Sequence, residues 1–99
     1  MGHAIDPRTS SVGTTIAHGS ASVTTTAAQL LATDTGRRSV IVQNLGTDDI
    51  WLGGTGITVT NGLRVSPGQA ATLDKAPIAA IYAIATSGTQ SVSYITESD

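Results

Sequence analysis

Apolar and polar positions alternate along this chain in short runs, and no run long enough for a helix repeats at the helical period. Residues 39–43 (Ser-Val-Ile-Val-Gln) and 49–52 (Asp-Ile-Trp-Leu) are β-prone, and the polar stretch Asn44-Leu45-Gly46-Thr47-Asp48 between them predicts a hairpin. Val40, Ile41 and Val42 are consecutive β-branched residues, so the first of these strands is expected to be an inner strand with both faces covered. Trp51 is the only Trp in a chain without Phe, which makes it the largest apolar group available to seal a face.

The same reading extends in both directions. Residues 22–26 are β-prone. Residues 27–32 (Ala-Ala-Gln-Leu-Leu-Ala) favour helix by propensity, but six uncapped residues beside a Thr-rich stretch are expected to stay extended. Thr33-Asp34-Thr35-Gly36 reads as a turn. Residues 57–60 and 63–65 flank Asn61-Gly62, which predicts a second hairpin with a type I′ turn, and Ser66-Pro67-Gly68-Gln69 fits a type II turn. Ala71 and Leu73 then alternate with Thr72 and Asp74, residues 78–85 are apolar on both faces, and Val92 and Tyr94 alternate with Ser91 and Ser93. The prediction is an all-β domain over residues 21–99, a small antiparallel β-sandwich or barrel. Residues 1–20 show neither period and hold an Asp6-Pro7 turn signal. They read as a flexible N-terminal arm, either a disordered tail or a segment that orders only against a partner surface with Ile5, Val12 and Ile16 as anchors.

Composition narrows the function. Charged residues are 12% and aromatics 3%, while Ser and Thr supply about a quarter, so hydroxyls dominate the expected surface. The net charge of -2 and the scattering of Arg8, Arg37, Arg38, Arg64 and Lys75 argue against nucleic acid. No apolar run is long enough to span a bilayer, and a membrane partner is not expected. Cysteine is absent, which removes disulfides and thiolate ligands. Ninety-nine residues with few bulky apolar groups make a modest core, for which oligomerisation is the expected supplement.

Candidate chemistry is sparse. Asp34-Thr35-Gly36 after Leu30-Leu31 has the form of an aspartyl protease motif, and a homodimer would bring two Asp34 carboxylates together to share a proton. The two arginines that follow and the lack of a C-terminal partner motif favour an ordinary turn. His3 and His18 lie in the arm without a carboxylate cluster, and Asp48-Asp49 lacks the further oxygens that calcium requires, so no metal or other cofactor is expected. Trp51, Tyr82 and Tyr94 form either core and subunit contacts or a sugar-stacking platform.

The run Arg37-Arg38-Ser39-Val40-Ile41-Val42-Gln43-Asn44-Leu45-Gly46, followed by Ile50-Trp51-Leu52-Gly53, Gly56-Ile57-Thr58-Val59, Asn61-Gly62, Pro67-Gly68, Ile81-Tyr82-Ala83-Ile84-Ala85 and Ser87-Gly88, resembles small β-rich virion proteins of tailed bacteriophages. These are the head decoration, or cement, proteins and the related head-fibre domains, and the likeness covers about residues 37–96. The resemblance implies a non-enzymatic homotrimer that binds the major capsid protein on the outer surface of the virion head and stiffens the lattice. On that basis Ile5, Arg8, Val12, Ile16, Arg37 and Arg38 are expected to contact the capsid or neighbouring subunits, and Trp51, Ile81, Tyr82 and Tyr94 to pack in the trimer or the core. The alternatives are a receptor- or glycan-binding fibre tip and, in a minor place, the Asp34 protease dimer.

Overall fold

A computed structural model describes residues 14–99, which form eight strands and no helix. They are β1 (Thr15–Val23), β2 (Ala28–Leu31), β3 (Arg37–Asn44), β4 (Ile50–Gly53), β5 (Leu63–Val65), β6 (Ala70–Leu73), β7 (Ile81–Ala85) and β8 (Gln90–Ser98). Antiparallel pairs join β1 to β8, β2 to β7, β3 to β6 and β4 to β5, so the chain doubles back on itself as one long hairpin with its tip between β4 and β5. Coiling that hairpin adds the pairs β3 to β8 and β4 to β7 and gives two four-stranded sheets, β1-β8-β3-β6 and β2-β7-β4-β5. This is a jelly roll.

The core lies between the sheets. Val23, Val40, Val42 and Val92 project from the first sheet, and Ile50, Leu52, Val65, Ile81, Ala83 and Ala85 from the second. Most of these side chains are small, so close packing requires precise fit rather than bulk. Gly19 shows the constraint: it lies opposite Tyr94, and a Cβ there would stand 2.5 Å from the Tyr94 hydroxyl, so only glycine lets the ring lie across β1.

Two buried polar side chains fix β3 at its ends. At the start, Arg37 is 2% exposed and its guanidinium donates to the carbonyls of Pro77 at 2.6 Å, Ala79 at 2.6 Å and Ala32 at 3.1 Å. At the end, Asn44 is fully buried; its Nδ2 donates to Asp48 O at 2.7 Å and to Val65 O on β5 at 2.9 Å, while its Oδ1 accepts from Gly46 N at 2.9 Å. The Val65 bond crosses from one sheet to the other. Buried Gln90 completes this end, accepting from Thr47 N and Asp48 N and donating to Ser87 O at 2.8 Å.

Several expectations change here. Residues 39–52 do not form a hairpin, because β3 and β4 lie in different sheets and residues 45–49 cross between them, held by Asn44 and Gln90. β3 is an inner strand, but only one of its faces is covered: Ile41 points to solvent at 40% exposure. Asn61-Gly62 makes no type I′ turn, since neither residue has positive φ. Residues 57–60 are loop, and Ile57 folds back so that its Cδ1 occupies the space a Cβ on Gly53 or Gly62 would need. The glycine serves close approach there, not turn geometry. β1 begins at Thr15, so residues 15–20, expected in the arm, pair instead with residues 93–98; residues 1–13 lie outside the described part.

Other expectations agree with the fold. Residues 28–31 are extended, Gly68 has φ of 81° with Gln69 N bonded to Ser66 O at 3.0 Å as a type II turn requires, and residues 34–37 turn through Arg37 N to Asp34 O at 3.1 Å.

Asn44→Ala removes the side chain that bonds both sheets and leaves the Val65 carbonyl buried without its donor. The expected loss is about 2–4 kcal/mol of unfolding free energy, read from the urea midpoint at constant slope. A loss below about 1 kcal/mol would mean that the crossover is held by packing alone.

Candidate functional site

Three surfaces on the sandwich depart from the hydroxyl-rich background. The first is the outer face of the β2-β7-β4-β5 sheet. Trp51 on β4 lies between Ile84 on β7 and Arg64 on β5, and one row along, Tyr82 lies between Gly53 and Gln29. Ile57 from the β4–β5 loop covers the two glycines of that row. Trp51 Nε1 donates to Thr86 Oγ1 at 3.1 Å, which fixes the indole, and Arg64 stands 4.0 Å from the Asp49 carboxylate. This face therefore presents two aromatic rings flanked by a cation and an amide.

The second surface is the outer face of the other sheet. His18, Ile95, Ile41 and Thr72 form one row across all four strands, and Ile16 stands on the same face two residues before His18. Ile16, Ile41 and Ile95 are all exposed. Exposed β-branched apolar residues at the centre of a sheet mark a surface suited to a partner.

The third is a groove. Between the sheets, at the side bounded by β5 and β6, an apolar cleft of about 430 Å³ opens to solvent, with Val40 and Leu52 in its lining and Leu63, Leu73 and Ile78 among its walls. By register Leu63 and Leu73 point inward, opposite Leu52 and Val40, yet they are 54% and 43% exposed. Among the described residues nothing closes the core along this side.

The residues singled out in the sequence distribute unevenly over these surfaces. Ile5, Arg8 and Val12 lie outside the described residues. Ile16 is on the isoleucine face. Arg37 and Ile81 are buried inside the chain, so neither is available to a capsid or a neighbour: Arg37 is committed to three backbone carbonyls and Ile81 to the core. Arg38 is half-buried and paired with Asp99, Nε to Oδ1 at 3.0 Å. Trp51 and Tyr82 come together on one outer face, whereas Tyr94 packs inward in the other sheet beneath Gly19. A platform using all three aromatics does not form.

Asp34 sits in an exposed turn. Its Oδ1 accepts from Gly36 N at 3.0 Å and its Oδ2 from Ser98 Oγ at 3.2 Å. Asp48 Oδ2 accepts from Ser87 Oγ. Among the described residues no group of three or more His, Cys, Asp or Glu side chains is placed to share a metal ion.

Neither a family model nor a curated protein matches this chain. A solved structure does: the stem and receptor-binding domain of the spike protein P1 from bacteriophage PM2, at a TM-score of 0.60 and 17% identity over 77% of this chain. The likeness is one of fold. The match takes in 31% of that spike chain. A second similar structure, from Bacillus endospore appendages that form disulfide-linked pili, aligns at a TM-score of 0.46 and 17% identity over 85% of this chain and 88% of that one.

The placement of Trp51 makes a measurable difference. Because the indole lies on an outer face, Trp51→Ala is expected to cost about 1 kcal/mol, against the roughly 3–5 kcal/mol of a core Trp truncation. Chemical denaturation of the two proteins checks it, and a loss of 3 kcal/mol or more would put the ring in the core.

Proposed function

We propose that this chain is a structural domain of a bacteriophage virion, a decoration protein that binds the outer surface of the head in multiple copies and stabilises the lattice without catalysis. The observation that carries this reading is the isoleucine face. A 99-residue domain that turns Ile16, Ile41 and Ile95 outward, on a sheet whose other face already supplies half the core, is built to lie against something. The jelly-roll likeness to a phage spike and the resemblance of residues 37–96 to head decoration proteins are consistent with it. Its partners on this reading are the major capsid protein and further copies of itself, arranged as a homotrimer.

A second reading has its own observation. Trp51 and Tyr82 share an open face with Arg64 and Gln29 beside them, a combination that stacks on a flat ring and hydrogen-bonds its hydroxyls. On that reading the domain is a receptor- or glycan-binding tip. Catalysis through Asp34 is the weakest reading, since both carboxylate oxygens are engaged in holding the turn and the end of β8.

Co-sedimentation with expanded heads that lack the protein separates these readings. Decoration predicts saturable binding, a higher disruption temperature for the heads, and at least tenfold weaker binding for the Ile41→Asp, Ile95→Asp double variant with unchanged β circular dichroism. Signal on a glycan array, lost in Trp51→Ala and unaccompanied by head binding, would favour the receptor reading. Failure on both would remove the virion assignment.

A further inference from the structure

The groove at the β5–β6 side is an unfinished core. Leu63 and Leu73 point inward from the edge strands of opposite sheets and find no layer between them, and Ile78 borders the same opening. The lining is almost wholly aliphatic, so water gains little there and an apolar segment gains much. Among the described residues β6 pairs only with β3, which leaves its other edge open to an added strand along the groove.

On the opposite side of the same sheet, the nine-residue β1 is also an edge among the described residues, and the chain N-terminal to it continues from Thr14, whose N–H is bonded to Ser98 O. Thirteen residues precede that point. They carry Ile5 and Val12, only two charges in Asp6 and Arg8, and Pro7, which suits an edge-bound extended segment. Fully extended they reach at most about 45 Å.

To enter its own groove this segment would reverse direction and cross the ends of β8 and β3, three strand spacings or about 14 Å, over an end already occupied by Arg38 with Asp99 and Asp34 with Ser98. A neighbouring copy placed side by side needs no such crossing. The β1 edge and the open β5–β6 side lie on opposite sides of each molecule, so the β1 edge of one copy can meet the groove side of the next, the geometry of a head-to-tail contact.

We propose that the groove is filled by residues 1–13 of a second copy of this chain, running as an extra strand along β6 with Ile5 between Leu63 and Leu73. This contact is heterologous and closes into a ring or propagates as a row, and it goes beyond the capsid reading because it needs no capsid.

The chain has no cysteine, so introduced thiols report without background. Full-length Ile5→Cys and a mass-tagged full-length Leu73→Cys are mixed in equal amounts and mildly oxidised without phage particles. The expected product is the mixed disulfide, at least tenfold over either self-linked species. The double variant Ile5→Cys, Leu73→Cys is expected to give a ladder of multimers. A fast-migrating internally linked monomer from the double variant, with no mixed disulfide from the singles, would show the segment in its own groove and overturn the proposal. The absence of both products would overturn it equally. Leu73→Glu, which leaves the segment intact, is expected to weaken self-association at least tenfold by analytical ultracentrifugation. Because no head is present, this result stands or falls apart from head binding.

Discussion

Hydrogen bonds from the first and last side chains of β3 hold the sandwich together. An apolar sheet interface is non-directional, so the valines and alanines of this core leave the ends of the strand free to shift. Arg37 and Asn44 remove that freedom. Arg37 gathers the carbonyls of the β2–β3 and β6–β7 connections, so both loops are tied to one strand end. Asn44 bonds across to Val65 and binds the crossover that follows it. Bonds from a charged donor contribute roughly 1.5–3 kcal/mol each when their acceptors are otherwise unpaired. Two such clamps, a strand length apart, set the register of every pair between them, because β3 is bonded on one side to β8 and on the other to β6.

A core fixed by polar clamps rather than filled by bulk leaves apolar surface over. With one Trp, two Tyr and no Phe, the chain lacks the volume to close both sides of an eight-stranded sandwich. The β1–β2 side keeps only a small pocket beside Val23, with the Tyr94 ring over Gly19, while the β5–β6 side stays open with its leucines exposed. Isoleucines then appear on the one sheet face and aromatic rings on the other. Among the described residues three surfaces are left open to water, and the proposed reading has neighbours cover them.

Local signals were legible in the sequence and long-range ones were not. Pro67-Gly68 announced its turn because proline and glycine set dihedral angles by themselves, and the alternation of Val92 and Tyr94 with serines announced β8 because period two is a property of the strand alone. The strands on either side of residues 44–48 and of Asn61-Gly62 were read as hairpins because sequence neighbours usually pair. In a jelly roll the first strand pairs with the last, and what decides this is the buried role of Asn44 and Gln90, which carry no signature beyond being polar at a strand end. Arg37 misled for the same reason: in sequence it is a charged residue beside another, and only the three carbonyls brought to it by residues 32, 77 and 79 explain why it is inside. Ile41 is expected to be covered because Val40 and Val42 are, yet it is exposed, since alternate residues of a strand face opposite ways and the core takes only one of them.

That last difference connects fold to function. In the strand Val40-Ile41-Val42 the flanking valines complete the core, so the isoleucine between them adds nothing to it, and a lone domain would do better with threonine or lysine there. The same holds for Ile95, directly opposite on β8. Burying such a pair against a partner removes two β-branched side chains from water, worth about 1.5–3 kcal/mol each when complete. On the proposed reading one copy contributes a modest affinity, and copies joined through their grooves would add theirs without any new kind of contact. The proposed reading thus asks for only a weak face on each subunit, provided that a link between subunits lets many such faces act together on a repeating surface.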